Sequence, residues 1–179
     1  ATLGTLANDV GFLRLGFWAD ASGPTLDGLT VSLLGDAPAA NVSAKIVKDS
    51  NGNGVFAPAF DLFLGSQFFA FGSPPSAQIS FSSQTLDGTT RYYFIALSYS
   101  AVPGGRRVGA SIETLEHIDV LNGSEGVLPP LPIRSSQALV QQTLFARPLD
   151  GAYPTPFATP PSGGFDTGVF VNSGQNVRV

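Results

Sequence analysis

Arg91-Tyr92-Tyr93-Phe94-Ile95-Ala96-Leu97-Ser98-Tyr99 is the stretch that decides the fold. It is aromatic-rich, free of Gly and Pro, and apolar on both alternating faces. A strand at the centre of a sheet, covered on both sides, reads this way. Turn signals bound it, Asp87-Gly88 before and Pro103-Gly104-Gly105 after. Working outward, Phe12–Trp18, Leu29–Leu33, Ala44–Val47, Gln67–Phe71, Gln78–Ser82, Val108–Glu113 and Ile118–Val120 read as further short strands. The region from Glu113 to Leu121 is the nearest approach to a helical period, and it too reads better as strand. Ser22-Gly23-Pro24, Asp27-Gly28, Gly35-Asp36, Asn51-Gly52, Ser73-Pro74-Pro75 and Asn122-Gly123 separate the runs. Short strands with this punctuation predict an all-β, immunoglobulin-like antiparallel β-sandwich over residues 11–123, preceded by a short segment 1–10.

The composition of the 179 residues agrees. Hydrophobic residues make up 43% and charged residues only 12%. The 21 glycines and 14 prolines disfavour a helical bundle. The net charge of −4, with the cations scattered, gives no basic stripe for nucleic acid. No apolar run reaches the roughly 18 residues that span a bilayer. With no cysteine, disulfides, thiolate metal sites and cysteine nucleophiles are excluded. The start Ala1-Thr2-Leu3-Gly4 reads as the processed end of a secreted chain, extracellular or at the cell surface.

Residues 124–164 change character. Eight of the prolines fall there, and between residues 127 and 164 only Arg134, Arg147 and Asp150 are charged. Leu139, Val140 and Phe145 are among several apolar residues that need a surface to cover them. The segment reads as an extended Pro-rich arm. After Gly163-Gly164, residues 165–179 read as a C-terminal strand with Phe165, Val169 and Val171 on one face, suited to adding to an open sheet edge. Ala1–Val10 is a weaker alternative donor, since Leu3 and Leu6 are out of phase.

Lys48-Asp49-Ser50-Asn51-Gly52-Asn53-Gly54-Val55-Phe56 is the most specific motif. Oxygen-bearing side chains at 49, 51 and 53 followed by Gly54 match the first half of an EF-hand-type loop, with the Val55 carbonyl and Asp61 as further oxygens. Phe60 holds the twelfth position, where an acid would strengthen such a site. The same pattern without a cation is an Asx-type turn held by its own side chains.

From Phe12 to Val120 the chain resembles secreted bacterial immunoglobulin-like β-sandwich modules that carry a D-x-N-x-N-G-V-F turn, found in surface and filament proteins. Ile46–Phe56, Thr90–Ala96 and Val108–Ile112 carry the likeness. The resemblance implies the sandwich fold and bears on calcium at Asp49, Asn51, Asn53, Val55 and Asp61.

No catalytic set emerges. His117 is the only histidine, no Gly-x-Ser-x-Gly elbow occurs, and Glu113, Glu116 and Asp119 have no spacing that defines a cleft. Lys45 and Lys48 could staple to an Asn, but nothing singles one out. Asn41 and Asn122 head glycosylation sequons, and Thr155 and Thr159 lie in a Ser/Thr/Pro run open to O-linked sugar. Trp18 and the fourteen phenylalanines could suggest a sugar platform, but the Phe60, Phe63, Phe68, Phe69, Phe71 cluster reads more simply as core and subunit contact.

The expectation is a non-enzymatic subunit of an extracellular, pilus-like filament, a homo-oligomer or homopolymer formed by strand or arm exchange. Phe165, Val169, Val171, Leu139, Val140 and Phe145 would be its contacts. The alternatives are a calcium-binding accessory module of a secreted hydrolase or adhesin, and a viral capsid or tail decoration protein.

Overall fold

The computed structural model describes residues 2–3, 7–20, 23–122, 131–140, 145–146, 169–171 and 175–177. Its elements in chain order are β1 (Thr2–Leu3), β2 (Ala7–Phe17), β3 (Thr25–Gly35), β4 (Val42–Lys48), β5 (Leu62–Phe68), β6 (Ser76–Thr85), β7 (Arg91–Tyr99), β8 (Arg107–Ile112), β9 (Ile118–Leu121), β10 (Ile133–Arg134), β11 (Ala138–Val140), β12 (Phe145–Ala146), β13 (Val169–Val171) and β14 (Gln175–Val177). Two sheets face each other in an antiparallel β-sandwich. One runs β2-β7-β4-β5, and the other runs β1-β11-β8-β3-β6 with β9 on β3 and β10 on β8. The exception to antiparallel pairing is the short β1–β11 contact, which is parallel.

Period-two alternation builds the core. Tyr93, Ile95, Leu97 and Tyr99 of β7 turn inward beside Val42, Ala44 and Ile46 of β4. Leu29, Val31 and Leu33 of β3, Ala77 and Ile79 of β6, and Val108, Ala110 and Ile112 of β8 meet them from the other sheet. Leu26 joins the same core although it lies three residues before Leu29. The register of β3 shifts between Leu26 and Gly28 against both β6 and β9, and this irregularity restores its phase.

Four sequence readings need correction. The strand expected at Gln67–Phe71 lies at Leu62–Phe68, and Phe69, Ala70 and Phe71 fall beyond it. The Glu113–Leu121 strand is interrupted by a 3₁₀ turn at Leu115–His117 and resumes at Ile118. Ala7–Val10 belongs to the sandwich through β2, not to a separate segment. The sandwich also extends past residue 123. β10 and β11 both run antiparallel to β8, with Ile133 opposite Ile112 and Ala138 opposite Val108. Between them Ser135 bridges the ladder: Ala110 N–H donates to its Oγ at 2.9 Å, and its own N–H donates to the Ala110 carbonyl. Residues 131–140 of the Pro-rich arm are therefore a broken strand of its own domain, with β11 held between β8 and β1. Val140 is wholly buried in that core, which removes it from the set of subunit contacts. Leu139 stands opposite both Arg107 and Thr2.

Phe145, Val169 and Val171 lie in a three-stranded sheet β12-β13-β14, where Phe145 is opposite Phe170 and Val171 opposite Gln175. Phe165, Thr155 and Thr159 lie outside the described residues.

Candidate functional site

The loop from Asp49 to Asp61 joins β4 to β5 and carries the motif. The Asp49 carboxylate accepts from the backbone N–H of Gly52 at 2.8 Å and of Gly54 at 2.6 Å. Asn51 Oδ1 accepts from Asn53 N–H at 3.0 Å, and Asn53 Oδ1 from Val55 N–H at 2.7 Å. Asp61 closes the base, accepting from Ala57 N–H at 2.7 Å and from Ser50 N–H. Gly52 and Gly54 both have φ of +70°, which glycine adopts at little cost. Asp49 and Asp61 are buried. Every side-chain oxygen set expected for a cation is thus engaged by the loop's own backbone donors. The arrangement fits an Asx-type turn. A calcium ion at Asp49, Asn51, Asn53, Val55 and Asp61 would have to share oxygens with those donors. Among the described residues, no group of three or more His, Asp or Glu gathers as a metal site.

The closed loop folds over the outer face of its sheet. Its Phe56 packs on Phe94, ring centres 5.5 Å apart. A Cβ on Gly11 would come within 2.9 Å of the Phe56 ring, so β2 needs glycine there. Arg14 Nη1 donates to the Gly54 carbonyl at 3.0 Å, and its guanidinium lies over the Tyr92 ring. Val47, Phe94 and Ala96 are buried here although they belong to no part of the central core. Neither Gly11 nor Phe56 stands out in the sequence as a site residue. The available signal was the doubly apolar β7, whose outer face had to be covered by something.

Directly after this loop comes β5, the end strand of its sheet. Among the described residues no strand pairs with its far edge. Phe60, Phe63, Phe68 and Phe71 are 77%, 55%, 60% and 87% exposed. Only Phe69 of the expected aromatic cluster is core. Phe63 is opposite Val47 and Phe68 opposite Ser43, so both lie on the outer face. From Leu62 to Leu86, through β5 and the other sheet's end strand β6, no residue is charged.

The acidic residues separate into two settings. Glu113 accepts from Ser111 Oγ at 2.6 Å and from Arg134 Nη2 at 3.0 Å. The Arg134 guanidinium, with help from Ser111, holds its carboxyl below the usual range. Glu113 therefore serves to fasten β10 to β8. Glu116, His117 and Asp119 line a polar cavity of about 280 Å³ over Gly28, with Thr30, Gln78 and Ser80. His117 Nδ1 faces the Glu113 backbone N–H at 3.4 Å.

Lys45 forms an ion pair with Asp9, and Lys48 donates to Gln84 Oε1 at 2.9 Å, so neither meets an asparagine. Asn41 Nδ2, the atom a glycan would occupy, donates to the Ala101 carbonyl at 3.1 Å. Asn122 is exposed at the end of β9 with a φ of +61°. Trp18 is half exposed. Among the described residues no helix is long and apolar enough to cross a membrane.

No family model matches the chain, and no curated protein matches it. Among solved structures it is similar to one described as "Hadza microbial sialidase Hz136", with a TM-score of 0.53 at 12% sequence identity. The match covers 78% of this chain and 29% of that one. What the two share is the β-sandwich fold, and this chain spans under a third of the sialidase.

Proposed function

We propose that this chain is a non-catalytic accessory β-sandwich module of a secreted protein and that it works by contact. The observation that carries this reading is β5 and its flanks, where Phe63, Phe68 and Phe71 are exposed in a run of 25 residues without a charge and Phe60 is exposed just before it. Soluble sheets ordinarily blunt such an edge with charge or proline, and large exposed apolar patches mark interaction sites. The resemblance to secreted immunoglobulin-like modules supports the same reading. So does the partial match to the sialidase, since one module of a larger protein would match a fraction of that length.

The filament reading has less support. It needed residues 165–179 to offer a free strand, and β13 has a strand of its own chain on each side.

The test is a turnover assay on fluorogenic sialosides and a panel of other glycosides. No turnover is expected. Turnover that disappears in Glu116→Gln or Asp119→Asn, with folding intact, would overturn the non-catalytic reading and make the cavity over Gly28 an active site.

A further inference from the structure

We infer that the partner of the β5 edge is a second copy of this chain, joined antiparallel edge to edge so that one sheet runs through both molecules. The inference rests on the reading that this edge is the working surface.

The first argument is area. At roughly 200 Å² for a whole aromatic side chain, the exposed fractions of Phe60, Phe63, Phe68 and Phe71 amount to about 550 Å². Leu62, half exposed, and the open backbone of the strand add to it. A standard interface buries about 800 Å² per partner, so β5 together with the flanking segments that carry Phe60 and Phe71 approaches what a specific dimer needs.

The second argument is electrostatic. An uncharged strip leaves the charged rim of a foreign partner without counter-charges, whereas it matches another uncharged strip at no desolvation cost to ions.

The third argument is symmetry. A two-fold axis near Gly65, the middle of β5, brings Phe68 of one copy against the Leu62–Phe63 end of the other. Both contacts form twice, as an isologous interface requires. Phe63 and Phe68 share the outer face, so they meet on one side of the joined sheet. The backbone ladder supplies the remaining affinity, as in strand addition generally. The strand carries one protective irregularity, the bulge at Leu64, and neither a charge nor a proline.

The test is analytical ultracentrifugation of the full chain over a wide concentration range. The wild type is expected to sediment as a dimer. Phe68→Lys and Phe63→Glu, both at exposed positions, are expected to keep the wild-type circular dichroism, and the wild-type melting behaviour at concentrations where all are monomeric, while each weakens the dimer at least tenfold. Mixing the two variants should restore a dimer, because the introduced opposite charges meet across the axis. A wild type that stays monomeric overturns the second-copy inference. If that monomer still binds 8-anilinonaphthalene-1-sulfonate in a manner lost in Phe63→Glu and Phe68→Lys, the edge remains an interaction surface for another protein. If it binds none, the working-surface reading falls as well. A dimer untouched by both substitutions also overturns the inference, since its interface lies elsewhere.

Discussion

Phe56 and Phe94 pack ring to ring, tilted by 59°, on the side of the sheet turned away from the core. This contact explains why a turn with so regular a pattern of oxygens ends in Val55-Phe56. The oxygens fix the loop, and the loop delivers an aromatic cover to β7. Phe56 is half-buried, so Phe56→Ala should cost about 2 kcal/mol. Gly11→Ala, which pushes a methyl into the same ring, should cost about 1–3 kcal/mol. Urea unfolding of the two variants and their double mutant would check this. The costs should fall short of adding, since both act on one contact.

Asp49→Ala removes the acceptor for two backbone donors. The loss should be about 1 kcal/mol, since Gly52 is exposed and Gly54 half-buried, so that water can take up part of the lost bonding. The wild-type melting temperature should be the same in 10 mM calcium and in a chelator. A rise with calcium that vanishes in Asp49→Ala would assign a cation to the loop.

Tyr93 is wholly buried, and its hydroxyl has no hydrogen-bond partner among the described residues. Desolvation pushes its pKa up to about 12. Above pH 10 the unfolded chain releases this proton before the folded one does, so stability should fall from pH 10 towards 12. Tyr93→Phe should flatten that limb. Near pH 7 it should leave stability unchanged or raise it by up to about 1 kcal/mol, because an unpaired buried hydroxyl is lost. Denaturant midpoints from pH 8 to 12 would decide.

Glu113 carries the opposite sign. Its carboxyl is held low by Arg134. The contribution is complete above the ordinary glutamate range and is lost as pH falls through the depressed folded value. Glu113→Gln and Arg134→Gln should each reduce the acid slope of stability, and β10 should then exchange its amide hydrogens faster.

Val140→Ala should destabilise the chain by about 2 kcal/mol. Its midpoint shift should be independent of protein concentration, because Val140 fills its own core. A shift that depends on concentration would return this residue to an intermolecular contact.

Much of the sandwich was readable in the sequence because alternation is a local signal. Arg91–Tyr99 was delimited to the residue, and Leu29–Leu33, Gln78–Ser82 and Val108–Glu113 fell on strands. The failures lie where tertiary structure supplies the reason. β5 was displaced because the bulge at Leu64 breaks its alternation while Gln67–Phe71 is rich in aromatics that favour strands. Residues 131–140 read as arm because Pro132 and the gap at Ser135 interrupt them, and only the open edge of β8 makes a strand of them. The turn at Asp49 was legible as chemistry. Its structural purpose was not, since Gly11, Arg14 and Phe94 lie far from it in sequence.

The pairing order has a kinetic consequence. Within the sandwich, only β4 and β5 form a full ladder between sequence neighbours. β2 waits for β7, β3 for β6, β8 and β9, and β8 for the chain up to Val140. Such non-local topologies close slowly, in milliseconds to seconds. During that interval a β4–β5 hairpin can stand alone with an uncharged, phenylalanine-rich strand at its rim. The exposed edge of β5 therefore makes the nascent chain prone to stick, and its yield on refolding should drop steeply as concentration rises.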